Sequence, residues 1–227
     1  MLDWSPILLT MQLALIVTII LLVIAIPLAY WLCYAKTKIK PLVETLVSMP
    51  LILPPTVLGY YLLIAFSPNN AFGRLIENLF GIKLIFSFEG LIMASIIYSL
   101  PFMVQPILSG FKNLPVNLID AAYVLGSSRI KTLYKILLPN IKTSILTGIV
   151  LTFAHTIGEF GVVLMIGGNI PDKTRVASIA IYDEVETLNY AAANTYSLIL
   201  FTISFITLLL VYLINSGYLT QYFHDKS

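Results

Sequence analysis

Five apolar runs alternate with polar stretches along the 227 residues: Ile7 to Tyr34, Leu42 to Phe66, Gly90 to Gly110, Ile141 to Ile166 and Tyr196 to Ile214. A membrane span needs about 20 residues at 1.5 Å rise. The pattern therefore predicts an all-α membrane protein, a polytopic bundle of about five transmembrane helices. The first run is longer than a bilayer requires, so it tilts or projects. Two runs carry prolines: Pro50, Pro54 and Pro55 in the second, just before Thr56 and Gly59, and Pro101 and Pro106 in the third. Each proline removes a backbone hydrogen bond, and lipid tolerates such breaks only beside protein or a wet cavity. Breaks are expected in both runs. Pro54, Pro55 and Thr56 then line a path, or the kinks serve helix packing. In the fourth run His155 and Glu159 stand one helical turn apart, on a shared face. Gly148, Gly158 and Gly161 allow close helix approach there, and Glu159 and Gly161 are gate candidates.

Between the third and fourth runs the pattern changes. Residues 111–140 contain "FKNLPVNLIDAAYVLGSSRIKTLYKILLPN", polar and basic yet periodic. Pro115 suits a first helical turn. Val116, Ile119, Ala122, Tyr123 and Val124 follow at helical spacing, and Gly126 is placed for a left-handed cap. Ser127 and Ser128 cap a second helix in which Ile130, Leu133, Tyr134 and Leu137 recur, and Pro139 stops it. The prediction is a helix–Gly–helix elbow along a membrane surface, with small Ala121 and Ala122 on its exposed side. Such an elbow either rests its basic face on anionic lipid or serves as a lever for a soluble partner. Farther along, "GGNIPDKT" reads as a loop, and Thr174 to Leu188 as an acidic surface element rather than a sixth span.

Charge orients the bundle. With the amino terminus outside, the inner loops hold Lys36, Lys38, Lys40, Lys112, Arg129, Lys131, Lys135, Lys142 and Lys226, leaving four of the 13 Lys and Arg outside. That bias predicts the amino terminus outside, the carboxyl terminus inside and a cytoplasmic elbow. The first run has its lysines after it rather than before it, so it reads as a retained helix, not a signal peptide. The composition is 59% hydrophobic and 11% charged, far from the soluble average of about 25% charged. A net charge of +2 gives no nucleic-acid surface. The lone Cys33 reads as a small buried hydrophobe.

The pattern Asp120-Ala121-Ala122, Gly126, Ser127 and then Ile136, Leu138 and Pro139 resembles the "EAA" loop of inner-membrane permease subunits of bacterial ABC importers, with aspartate where glutamate is usual. "MPLILPPTVLGYYLL" (49–63) and "GEFGVVLMIGGNIPDKTRVASIAIYDEV" (158–185) resemble the molybdate permeases within the molybdate, tungstate and sulfate group. The resemblance implies a permease domain over 7–214, with a coupling loop at 111–140 and a short cytoplasmic tail at 215–227. It implies a bacterial or archaeal cytoplasmic membrane and alternating access. The implied partners are a second copy of the chain, an ABC-type ATPase subunit and an extracytoplasmic molybdate-binding protein, besides membrane lipid.

No Walker A pattern is present, so ATP is expected on the partner ATPase and no cofactor on this chain. His155 and Glu159 make two ligands where a metal site needs more, and the His-Glu-x-x-His motif is missing. No metal and no catalytic residue are therefore expected. The rival classes are a tungstate, sulfate or other oxyanion permease, an intramembrane enzyme using His155 and Glu159, and a membrane scaffold.

Overall fold

The computed structural model describes residues 3–115 and 117–215, and every regular element among them is helical. Val116 and the tail beyond 215, with Lys226, lie outside the described residues. The spine is α1 (Ser5–Tyr34), whose 30 residues give a length of about 45 Å. Leu13, Val17, Leu21, Ala25, Ala29 and Leu32 form its buried stripe, while Leu8, Leu15, Ile19 and Val23 are exposed on the rest of the helix. A helix apolar all round belongs in lipid. Against the stripe pack α5 (Phe88–Lys112) and α9 (Lys142–Gly158), which also pack on each other.

The second apolar run is not one helix. It divides into α2 (Lys40–Ser48), a 3-10 turn at Met49–Leu51, and α3 (Pro55–Phe66), the two halves bent by 112°. Pro55 explains the stop: the residue before a proline is driven out of the α region, and Pro54 stands at ψ 137°. The third run corrects the expectation of a break. Pro101 and Pro106 lie inside the continuous α5. Each lacks one N–H bond, and a helix packed against α1 and α9 holds its course across them.

The fourth run does break, at a place no proline marks. Its first part, α9, ends at Gly158, and α10 (Gly161–Gly167) follows after the extended Glu159. Glu159 therefore stands just past the end of α9, one turn beyond His155, and the two border one cavity while taking different partners. Gly148 packs on Met103 of α5 and Gly161 on Pro55, whereas a side chain at Gly158 would meet nothing within 4 Å.

Two helices fill the connections. One is α4 (Ala71–Phe80), started by the Asn70 side chain and ended by Gly81. The acidic segment forms α11 (Ala177–Glu186), a short surface helix as expected, and it packs on the last span, α12 (Tyr190–Asn215). The Ala177 N–H donates to Thr10 Oγ1 (2.8 Å), and the Tyr196 hydroxyl donates to the Asp3 carbonyl (2.6 Å). These bonds tie α11 and α12 to the amino end of α1. Among the described residues three helices, α1, α5 and α12, are long and apolar enough to cross a membrane singly, with up to five spans if each bent pair counts as one.

Candidate functional site

Two regions are candidates for function, one at each kind of break in the helical pattern. The elbow lies at the end of the bundle where α1 finishes. It consists of α6 (Asn117–Val124), then α7 (Arg129–Thr132), which runs through a π turn at Leu133–Leu137 into α8 (Leu138–Asn140). Gly126 has φ +74°, a left-handed conformation that costs an L side chain roughly 1–2 kcal/mol. The N–H groups of Leu125, Gly126 and Ser127 bond back to the carbonyls of Ala121, Tyr123 and Ala122, closing α6. Ser128 then caps α7 by accepting from the Lys131 N–H.

The elbow is the predicted shape with a different outer face. Ala122 is buried, so only Ala121 of the small pair lies outside, next to exposed Asp120. Val124 and Leu125 are 87% and 84% exposed, and Ile130 and Tyr134 are exposed beyond the turn. They make an apolar tip with no covering element among the described residues. Helical spacing placed Val124 in the first helix and Ile130 and Tyr134 in the second without fixing which way they face; the left-handed turn at Gly126 redirects the chain between them. Ser127 is half-buried, Leu138 packs on the core beside Leu137, and Pro139 is exposed. Pro139 does not end the helix, which runs on to Asn140 and turns at Ile141. Replacing Gly126 by valine is expected to speed trypsin cleavage after Arg129 about tenfold, as about 1.4 kcal/mol of local stability is lost. Thermal unfolding of the bundle should stay unchanged.

The second region is where the breaks of the second and fourth runs meet. The start of α3 abuts α10 so closely that a Cβ on Gly161 would sit 2.8 Å from Pro55 Cβ. Beside this contact is a cavity of about 560 Å³, lined among others by Pro55, Thr56, Tyr98, His155, Glu159 and Met165. Pro55, Thr56, Glu159 and Gly161 are therefore brought together across about a hundred positions of sequence, while Pro54, just before them, is exposed and does not line the cavity.

Glu159 is 4% exposed, and neither carboxyl oxygen has a hydrogen-bond partner among the described residues. The Ser95 hydroxyl lies near the carboxyl without reaching hydrogen-bond distance. The carbonyl that the break leaves free at Glu159 accepts from Ser178 Oγ at 2.6 Å, so α11 is tied to the broken span. Sequence reasoning missed Ser178 and Ser95, which no motif marks.

His155 has other company. Its Nδ1 is 3.0 Å from Ser99 Oγ, which is 3.1 Å from Thr156 Oγ1. Its ring stacks on Phe102 with centroids 3.9 Å apart and leans on Tyr98. These contacts use the imidazole to join α5 to α9, a packing role.

A match to known proteins runs along nearly the whole chain. The family model described as "Binding-protein-dependent transport system inner membrane component" matches residues 22–220. The molybdenum transport system permease protein ModB of Azotobacter vinelandii is 41% identical over 210 residues, 92% of this chain and 93% of that one. The sulfate transport system permease protein CysT of Synechocystis is 32% identical over 176 residues, 78% of this chain and 61% of its own. In three dimensions the fold is that of a chain of the MetNI methionine ABC transporter in an inward-facing form. That likeness has a TM-score of 0.72 at 15% identity and covers 92% of each chain. With a broken-helix bundle, an exposed elbow and a family match over most of its length, the chain belongs to the binding-protein-dependent transport system inner membrane components.

Proposed function

We propose that the chain is the permease subunit of an ATP-driven importer that carries molybdate across the cytoplasmic membrane by alternating access. The observation that carries this reading is the near full-length likeness to a molybdenum permease, which includes both segments that meet at the cavity. Two copies of the chain would enclose the path, each offering an elbow to one ATPase subunit. In this reading the apolar tip at Val124 and Leu125, with Asp120 and Ala121 beside it, enters a cleft of the ATPase. ATP binding and hydrolysis there move the elbow, and α9, which begins directly after it, carries the motion to the break at Glu159. The chain itself uses no cofactor.

In this reading the elbow end is cytoplasmic and the amino terminus outside, supported by the excess of lysines and arginines around the elbow. At the outside end, α11 would face an extracytoplasmic binding protein. The bond from Ser178 to the Glu159 carbonyl then links the docking surface to the gate. Glu159, buried and without a cation, is a poor ligand for a dianion, so selection among oxyanions falls to the binding protein. The likeness to a sulfate permease favours a second reading, sulfate as cargo, with the same mechanism.

Reconstitution tests the proposal. Vesicles holding the chain and its ATPase should raise ATP turnover several-fold when molybdate-loaded binding protein is added, and should accumulate molybdate. An intact complex that responds to no oxyanion would refute the transport reading, and a response to sulfate alone would favour the second cargo.

A further inference from the structure

At the elbow end the fold encloses a larger cavity, about 980 Å³, between the last turns of α1, the end of α5 and the elbow itself. We propose that it binds the phosphate head of an anionic phospholipid, with the first acyl carbons beside it. The proposal rests on the reading of the chain as a membrane permease.

Depth is the first argument. At about 45 Å, α1 outruns a hydrocarbon core of about 30 Å, so its last turns stand at headgroup level. Tyr30, Trp31 and Tyr34 line the cavity from those turns, and tyrosine and tryptophan favour that interface.

Charge is the second. Lys36, Lys112 and Arg129 line the same cavity, against one carboxylate, Asp120. Lys112 is already met by Glu44 at 3.1 Å. Lys36, Arg129 and Asp120 make no ion pair among the described residues. Two cations without an ion pair, one following α1 and one opening α7, thus border the same cavity and offer their charge to an anion within it.

The remaining wall decides the kind of anion. Phe111, Leu114 and Leu133 give the cavity an apolar side, which suits acyl carbons and offers nothing to a free phosphate ion. Val124 and Leu125, at the apex of the tip, do not line it, whereas Ile130 and Asp120 beside them border its rim, so a protein gripping the apex leaves the interior of the cavity to lipid. A bound headgroup would bridge Lys36 to Arg129 and brace the elbow against the end of α1.

Trp31 makes this measurable. The chain has two tryptophans, and Trp4 stands at the opposite end of α1, so Trp4→Phe leaves Trp31 as the reporter. The complex of this variant with its ATPase is placed in phosphatidylcholine vesicles containing brominated phosphatidylglycerol or, as control, brominated phosphatidylcholine. The phosphatidylglycerol should quench Trp31 at several-fold lower mole fraction. Lys36→Gln and Arg129→Gln should each reduce that preference roughly fivefold, the effect of one basic side chain near an anionic surface. Lys36→Gln lies outside the elbow, so its shift is independent of any change in elbow folding. Equal quenching by both lipids in the parent chain would overturn the proposal. Relief of quenching by inorganic phosphate would overturn the lipid as occupant. Molybdate-stimulated ATP turnover in the same vesicles reports separately on the permease reading: its absence beside a clear lipid preference would count against the permease reading alone.

Discussion

Replacing Val124 and Leu125 together by aspartate is expected to weaken binding of the ATPase subunit at least about a hundredfold. Fully burying a valine or leucine side chain contributes about 1.5–3 kcal/mol, and these two are almost wholly exposed in the isolated chain. Neither side chain belongs to the core among the described residues, so their replacement leaves the bundle intact. Two charges at the tip would further have to be desolvated in any cleft that accepts it. Co-purification and titration of detergent-solubilised chain with the ATPase measure the effect. Unchanged affinity in a correctly inserted protein would show that the elbow tip is not the docking element.

Substituting Gly161 by valine is expected to reduce oxyanion accumulation at least tenfold while ATPase binding persists. The new Cβ would meet Pro55 Cβ at 2.8 Å, with the Pro55 carbonyl carbon and the Thr56 nitrogen just behind. A proline ring, tied to its own backbone, does not yield as a flexible side chain does. Overpacking typically costs about 1–3 kcal/mol, and it acts where α3 and α10 meet beside the cavity. The two helices are thereby held apart or the break is reshaped. Gly158→Ala supplies the control, since it lines the same cavity but a Cβ there touches nothing within 4 Å. Accumulation of labelled molybdate in vesicles, with ATPase co-purification alongside, separates the two. Equal transport by both variants would remove Gly161 from the gate.

Residue chemistry anticipates the elbow well because its determinants are local. A left-handed glycine, a serine cap and flanking turns act within a few positions, and Gly126 and Ser128 do what their residue types suggest. The outer face of the elbow is less legible. Ala122 goes inward and Val124 outward, because burial depends on which element lies opposite.

Proline is an uneven guide. The adjacent pair Pro54–Pro55 stops a helix, since the second constrains the first, while the isolated Pro101 and Pro106 are carried within α5 by its neighbours. Conversely, the break at Glu159 has no proline; it stands where α10 meets α3 and α11 supplies a hydroxyl to the freed carbonyl. The same local reading passed over α4, although Asn70, Gly81 and the apolar spacing of Phe72, Leu75, Ile76 and Leu79 all mark it.

By itself the sequence determines an apolar helical bundle with a basic, glycine-turned elbow, since run length, helix caps and charge act within a turn or two of each residue. Only the tertiary structure decides that the breaks at residues 52–54 and 159–160 meet around one cavity, that His155 turns to α5 rather than to Glu159, and that α1 and the elbow enclose a second, basic pocket. Those outcomes depend on which helices pack side by side, and packing joins residues that the order of the chain keeps far apart.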